Sequence, residues 1–232
     1  MKSDRLTSPY YQGVPDYMIE VYDWAYVNPK WVHRLDHKLV VWILLFGNAQ
    51  RLIQAYLDHI KPGSKVWQVA HVYGNQVKQV AAHVGSQGQF DLTDVTPIQV
   101  ERARSKLVAY PHANIHRSDA ALFGSSTKYD AIGSFFLLHE VPDDRKRLIV
   151  NNILENLSDN GKAIFIDYHR PALWHPVRQI LNIVNTLLEP FARSMWDHDI
   201  SCFANRADEF IWSKQTYFGG VYQCTTATRR IV

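Results

Sequence analysis

The stretch KVWQVAHVYG at residues 65–74 decides the fold that the sequence predicts. Its first six residues favour a strand, and they follow a Pro-Gly turn at 62–63. The pattern then predicts a helix over 77–84 and a second strand over 89–95. Strands that alternate with helices in this way indicate a parallel sheet covered by helices on both faces.

The next helix has a clear start in the sequence. Thr96 is placed as its N-cap, Pro97 occupies the first helical position, and Gln99 follows three residues after the cap. This spacing predicts a capping box, in which the Thr and Gln side chains satisfy free backbone N–H groups at the helix start.

The rest of the chain extends the same α/β pattern. Three further strands are predicted, then a hairpin around Gly219-Gly220, which together give a Rossmann-like seven-stranded sheet. The predicted elements are strands at 115–117, 131–138, 163–167, 216–218 and 221–228, a helix at 143–157, a turn at 158–161, N-terminal helices at 17–26, 31–46 and 49–60, and a helix at 174–196 broken at Pro190. We therefore expect a helical cover at 1–60 and a sheet domain at 61–232 that contains a helical insert at 171–200.

Composition limits the class of protein. The 232 residues are 47% apolar and 20% charged, which is enough to bury a core and excludes a disordered or fibrous chain. The longest apolar run, 39–46, is far short of the roughly 20 residues that span a bilayer. Two cysteines without metal-ligand spacing and no leader-like segment at 1–5 favour a cytoplasmic protein. A net charge of +3 without a basic stripe argues against nucleic-acid binding.

Three residues at predicted strand ends could bind a nucleotide-like ligand. Gly74 lies in the turn after the first strand, and Asp94 ends the second strand twenty residues later, where an acidic residue usually holds ribose hydroxyls. Asp119 follows the third strand, so both carboxylates point to the same crevice. Each also has a structural interpretation, as a turn glycine or as a carboxylate at a helix start. The missing G-x-G-x-x-G disfavours a nicotinamide dehydrogenase.

The order and spacing of these motifs resemble the class I S-adenosylmethionine (AdoMet) methyltransferase fold. Within that fold the chain is similar to the rhodoquinone-biosynthesis family RquA over most of its length. The matching stretches are 14–17, 24–27, 72–74, 136–140, 167–171, 174–176 and 188–191. The resemblance implies that AdoMet is the amino donor, that a manganese ion (Mn2+) assists, and that ubiquinone, an isoprenoid quinone, becomes rhodoquinone when a ring methoxy group is replaced by an amine.

The resemblance also places the AdoMet site. It carries over two functional aspartates, as Asp94 and Asp119. The full set of candidate AdoMet-binding residues is Gln68, Ala70, Gly74, Asp94, Val95, Asp119 and Ala120. An ordinary methyltransferase has an acidic residue at the position of Gln68 and glycines at those of Ala70 and Val72. We hypothesise that this bulkier turn moves the methionine end of AdoMet out of a methyl-transfer pose.

Two clusters at neighbouring strand ends are candidate manganese ligands, because carboxylate and imidazole suit this ion. The preferred set is Glu140, Asp167 and His169. His139 is a further candidate, although neighbouring residues of a strand point to opposite faces. His175 and His71 are less favoured candidate ligands.

Each candidate ligand has an alternative role. Glu140 could cap the following helix, His169 could bond a backbone carbonyl, and His175 could pack in the core or lie at the surface. The candidate catalytic residues are Tyr73, Tyr168 and His169, which could orient substrate or move protons, with a tyrosine bonded to backbone as the alternative.

Aromatic and basic residues are concentrated outside the sheet. Trp and basic residues favour a lipid interface, which predicts a peripheral enzyme on the inner face of the cytoplasmic membrane. The alternative is that these helices merely cover the sheet. The residues concerned are Trp31, Trp42, Trp174 and Trp196, with Lys30, Lys38, Arg178 and Arg193.

Three functions therefore compete at this stage. The first is AdoMet-dependent amination of a quinone, the second is conventional methylation of a quinone or another small lipid, and the third is non-catalytic quinone binding. The departures at Gln68, Ala70 and Val72 disfavour methylation, while Asp94 and Asp119 argue against a silent protein.

Overall fold

A computed structural model describes residues 8–230 of the chain. Its centre is a seven-stranded sheet in the order β3-β2-β1-β4-β5-β7-β6. The first five strands are parallel, and β7 and β6 form the antiparallel hairpin at one edge. The strands are β1 Lys65–Val69, β2 Gln89–Asp94, β3 Ala113–Arg117, β4 Tyr129–Phe135, β5 Leu157–Tyr168, β6 Phe210–Tyr217 and β7 Tyr222–Arg229. This architecture confirms the predicted fold class.

Helices cover both faces of the sheet and one of its ends. The α-helices are α1 Asp16–Tyr22, α2 Pro29–Leu35, α3 Lys38–Leu44, α4 Ala49–Leu57, α5 Gln76–Val84, α6 Pro97–Leu107, α7 Asp143–Glu155, α8 Val177–Leu187 and α9 Ser194–Asp197. A π-helical segment, Asp23–Val27, continues α1, and a 3-10 turn, Leu138–Glu140, follows β4.

Several predicted boundaries are wrong for identifiable reasons. The helix predicted at 31–46 is divided at Asp36, whose buried carboxylate accepts bonds from Arg102 and Lys106 of α6. The turn predicted at 158–161 lies inside β5, where the register against β4 shifts and the extra residues form a bulge. The helix predicted from 174 begins at Val177, and it ends before Pro190 as expected.

The capping box at the start of α6 does not form. The helix begins at Pro97 as predicted, but the Thr96 side chain makes no capping bond and donates to Asp94 instead. The Gln99 side chain points into the cavity at the carboxyl end of the strands, where it bonds the Tyr26 carbonyl of the N-terminal cover.

Close packing of α4 on the sheet depends on one glycine. Tyr56 of α4 is fully buried, and its hydroxyl lies against Gly133 in the middle of β4. A Cβ atom at residue 133 would lie 1.6 Å from that hydroxyl oxygen. Glycine at this strand position therefore lets α4 approach the sheet.

Candidate active site

A cavity of about 350 Å³ lies at the carboxyl end of the parallel strands. The floor comes from the loops after β1, β2, β3 and β4, and the roof from α1, the π-helical segment, α3 and α8. Five of the seven residues assigned to AdoMet binding line it, namely Ala70, Asp94, Val95, Asp119 and Ala120. A second cavity of about 430 Å³ adjoins it and shares Val95 and Asp119. Convergence of strand ends in one crevice is the arrangement that parallel α/β sheets provide for ligands.

The backbone is strained at two points of the floor. Ala70, directly after β1, has φ +71°, and Phe136, directly after β4, has φ +54°. Residues with a Cβ rarely adopt this left-handed conformation, and such strain concentrates at functional sites. The residue at position 70, where an ordinary methyltransferase has glycine, is thus an alanine in a backbone conformation that glycine would adopt without strain.

Gln68 and Gly74 do not line the cavity. The Gln68 amide pairs reciprocally with that of Gln76, at 2.9 and 3.0 Å, and both side chains are buried. Gly74 has φ +78°, and its N–H donates to Asp36 at 2.8 Å. Gln68 holds the β1 loop against the start of α5, and Gly74 fastens that loop to the N-terminal cover.

Asp94 ties the loops after β1 and β2 together. One carboxylate oxygen accepts from the backbone N–H of His71 at 2.9 Å, and the other accepts from the N–H and the hydroxyl of Thr96. Burial raises the pKa of Asp94, although these three donors oppose that rise. Each oxygen can accept more than one bond, so ribose hydroxyls would still find acceptor capacity here.

Asp119 is held from two sides. One oxygen accepts from the N–H of Ala121 at 2.9 Å, and the other pairs with the guanidinium of Arg145 on α7. About a quarter of the Asp119 side chain is exposed, and it borders both cavities.

His139 lies at the centre of a buried acid–base cluster. Its Nδ1 bonds Asp167 at 2.8 Å and its Nε2 lies 3.7 Å from a Glu140 oxygen. The chain has left strand β4 before residue 139, so both side chains reach the same side. Burial opposes a charge on His139, but the carboxylates of Asp167, Glu140 and Glu189 together outweigh it and raise the pKa of His139 to about 9.

Two further carboxyl groups complete this cluster. Burial raises the pKa of Glu140, which accepts a bond from the Tyr26 hydroxyl. Glu189, which follows α8, accepts from the Tyr22 hydroxyl at 2.7 Å, and burial raises its pKa too. The sequence did not predict Glu189 as a site residue, although it lies in the matching stretch 188–191. Site residues are predicted from the ends of strands, and Glu189 belongs to the helical insert.

The tyrosines predicted to be catalytic both reach the cavity. Tyr168 lines it, with its ring 4.8 Å from that of His139, and burial raises its pKa. Tyr73 donates to the carbonyl of Ala25 at 2.5 Å, and burial raises its pKa as well.

The two histidines after β5 do not join the cluster. His169 turns away, and its Nδ1 bonds the carbonyl of Gly220 at 3.0 Å. His175 is buried against Phe218 and accepts from the N–H of Val177. These contacts correspond to the alternative roles that the sequence left open for both residues.

The predicted metal ligands do not form a metal centre as they stand. Asp167 uses one oxygen for His139 and the other for the N–H of Leu138, and His169 lies outside the cluster. Within residues 8–230, no group of three or more His, Cys, Asp or Glu side chains is arranged to hold a metal ion. The donor set therefore does not fit manganese in this arrangement.

Gln99 is the other site residue that sequence reasoning misplaced. Its amide oxygen lies 2.8 Å from His71 Nδ1, and its amide nitrogen donates to the carbonyl of Tyr26 and the hydroxyl of Tyr73. The local pattern indicated a capping box, and nothing in that pattern reports contacts with the cover.

Known structures share the fold of this chain. The chain is similar to a possible exported protein from Bordetella parapertussis (16% identity, TM-score 0.65, 87% of this chain and 79% of that one). It also resembles a TehB-like SAM-dependent methyltransferase from Corynebacterium glutamicum (15%, 0.55, 88% and 100%) and the N-methyltransferase NodS from Bradyrhizobium japonicum (12%, 0.56, 78% and 93%).

The chain thus has the fold of the class I AdoMet-dependent methyltransferases. No protein-family model matches the sequence, and no curated protein matches it.

Proposed function

We propose that the protein is an AdoMet-dependent enzyme that converts ubiquinone to rhodoquinone, with AdoMet as the amino donor. One observation carries the proposal. A single cavity has Asp94 and Asp119 in one part of its lining, and in the other part it has apolar side chains together with His139 and Glu140. The first part suits a nucleoside-like cofactor, and the second suits a greasy aromatic substrate. The RquA resemblance supplies the reaction.

The β1 loop favours amination over methylation. Gln68 replaces the expected carboxylate, and its amide is buried against that of Gln76 and does not line the cavity, so it is not placed to bind a charged ligand. Ala70 puts a methyl group where a glycine would leave space. Both departures support a changed pose for the methionine end of AdoMet.

The chain's own groups can support the displacement. The amino nitrogen of AdoMet bonds to the ring carbon, the carbon–oxygen bond to the methoxy group breaks, and the proton lost by nitrogen leaves with methanol. The bond between that nitrogen and the α-carbon of AdoMet then breaks by elimination: a β-proton of AdoMet moves to the nitrogen, which leaves the free aminoquinone and an α,β-unsaturated acid. Glu140, which stays protonated to higher pH because burial raises its pKa, can give its proton to the departing methoxy oxygen and then take one from the nitrogen, while Asp167 fixes the His139 ring beside it. Since the donor set does not fit manganese, no step here is routed through a metal.

The test is direct. Purified protein is incubated with AdoMet and a short-chain ubiquinone, with and without manganese, and products are identified by mass. An aminoquinone is expected; methylated quinone as the main product would support the conventional methyltransferase, and AdoMet and quinone binding without product would support a non-catalytic protein. Glu140→Gln should reduce turnover, whereas the exposed Glu155→Gln should not.

We also propose that the protein docks peripherally on a membrane to collect its substrate. α3 and α8 line the cavity with Val41, Leu181 and Val184, and on their outer faces they expose large apolar side chains. These are Leu39, Trp42 and Ile43 on α3, and Ile180, Ile183 and Leu187 on α8. Within residues 8–230, no helix is long and apolar enough to cross a bilayer.

The tryptophans divide into two groups. Trp31, Trp42 and Trp174 are 47%, 55% and 78% exposed, which suits an interfacial role. Trp196 is only 7% exposed, and the guanidiniums of Arg178 and Arg193 lie over its ring, so it was wrongly assigned to the interface.

Vesicle co-sedimentation tests the docking. Anionic vesicles should bind the wild-type protein, and Trp42→Gln with Ile183→Gln should weaken that binding, because both changes remove exposed apolar area. Leu122→Gln is the matched control, since Leu122 is 80% exposed and lies in the loop after β3. Equal binding by the double variant and the control would contradict the proposal.

A further inference from the structure

His71, which lines the cavity, has one ring nitrogen without a hydrogen-bond partner in residues 8–230. The residue follows Ala70 in the β1 loop and is only 9% exposed. Its Nδ1 lies 2.8 Å from the Gln99 amide oxygen. Its Nε2 is buried and has no hydrogen-bond partner among the described residues. A buried polar atom left in this state costs roughly 1–3 kcal/mol, which makes a ligand the natural partner.

The hydrogen bonds around Gln99 determine which ring nitrogen carries the proton. The Gln99 amide nitrogen donates to the Tyr26 carbonyl, which can only accept, at 3.0 Å. It also donates to the Tyr73 hydroxyl at 2.9 Å, whose own proton goes to the Ala25 carbonyl. The amide oxygen must therefore face His71, and Nδ1 must be the donor.

The ring is neutral, so Nε2 carries a free lone pair. Burial lowers the pKa of His71 to about 3 and the Lys106 ammonium adds to this effect, while Arg102 acts in the same direction and Asp36 opposes them. Near neutral pH the imidazole can then accept a hydrogen bond at Nε2 and cannot donate one.

We infer that His71 Nε2 receives the amino group of AdoMet. This rests on the proposed function: with ribose at Asp94 and adenine near Val95 and Asp119, the amino-acid end of AdoMet remains for the β1 loop. Gln68 does not line the cavity, and a carboxylate or carbonyl oxygen placed against Nε2 would meet a lone pair. His71 thus positions a nitrogen donor and discriminates against an oxygen acceptor.

Calorimetric binding of two ligands tests the inference without turnover. AdoMet is compared with the analogue that lacks the α-amino group, on the wild-type protein and on His71→Asn. The asparagine amide can still donate to Gln99 but has no atom at the Nε2 position. Wild type should prefer AdoMet by roughly tenfold or more, and the preference should fall towards one in His71→Asn.

Nitrogen-15 spectra of labelled histidine give a second measurement on the wild-type protein. The free protein should show His71 protonated at Nδ1, and AdoMet should shift the Nε2 resonance upfield, whereas the analogue should not. A proton on Nε2, an unchanged resonance, or equal preference in the two proteins would overturn the inference.

These outcomes separate the two proposals. Selective AdoMet binding without aminoquinone formation would leave the role of His71 standing and refute the proposed reaction. Aminoquinone formation without a preference for AdoMet over the analogue would support the proposed reaction and refute the role of His71. Failure of AdoMet to bind would refute both.

Discussion

Replacing Gln99 with methionine should destabilise the protein far more than the same change at an exposed glutamine. Methionine keeps the length and volume of the side chain but removes the amide. The His71 Nδ1–H then loses its acceptor and the Tyr26 carbonyl loses a donor, while Tyr73 keeps its bond to Ala25. Two buried groups at roughly 1–3 kcal/mol each give an expected loss of about 3 kcal/mol.

The chain offers a matched control. Gln79 pairs with Gln50 at 3.0 Å on the exposed surface, so Gln79→Met should cost less than about 0.5 kcal/mol. For a protein of this size each kcal/mol lowers the melting temperature by roughly 2–4 °C, so Gln99→Met should melt about 6–12 °C below wild type. Urea unfolding followed by far-UV circular dichroism would give the free energies. A difference under about 1 kcal/mol between the two variants would refute the bonding scheme around Gln99.

Three other changes should have measurable effects. Gly133→Ala drives a methyl group into Tyr56 and should cost about 3 kcal/mol in urea unfolding, whereas Gly124→Ala, with open space around it, should cost little. Asp36→Asn leaves two partly buried basic side chains of α6 without their carboxylate and should cost roughly 3 kcal/mol by the same assay. The pKa of His139 is raised to about 9, so its charged form stabilises the folded protein. That contribution, about 3 kcal/mol, should be full below about pH 6.5 and lost as pH rises through 9. In unfolding measurements over a pH series, His139→Gln should remove this dependence on pH.

The fold could be predicted because short stretches of sequence indicate each strand and helix separately. Each strand and helix carries its own periodicity, and the hairpin is marked by Gly219-Gly220. Short-range patterns also place Asp94, Asp119 and Glu140 at strand ends, and the topology of a parallel sheet brings such ends together. The placement of these three residues at one end of the sheet therefore follows from strand order alone.

The remaining site residues depend on contacts that local patterns do not report. The Gln99 side chain was assigned to its own helix start, but it bonds main-chain and side-chain groups of the cover and the β1 loop. Glu189 reaches the cavity from the insert, and the His169 side chain bonds the Gly220 carbonyl instead of joining the cluster. In each case the deciding partner is distant in sequence.

The π-helical segment at 23–27 has a consequence for how the protein tolerates change. It offers the carbonyls of Ala25 and Tyr26 to Tyr73 and Gln99, so two of its contacts with the sheet domain use main-chain atoms. Such contacts do not depend on which side chain occupies position 25, but they do depend on the number of residues that precede and follow it. Inserting or deleting one residue within the segment would turn both carbonyls by roughly a quarter of a turn around the helix axis. The length of this segment, more than its composition, keeps the roof in register with the floor of the cavity.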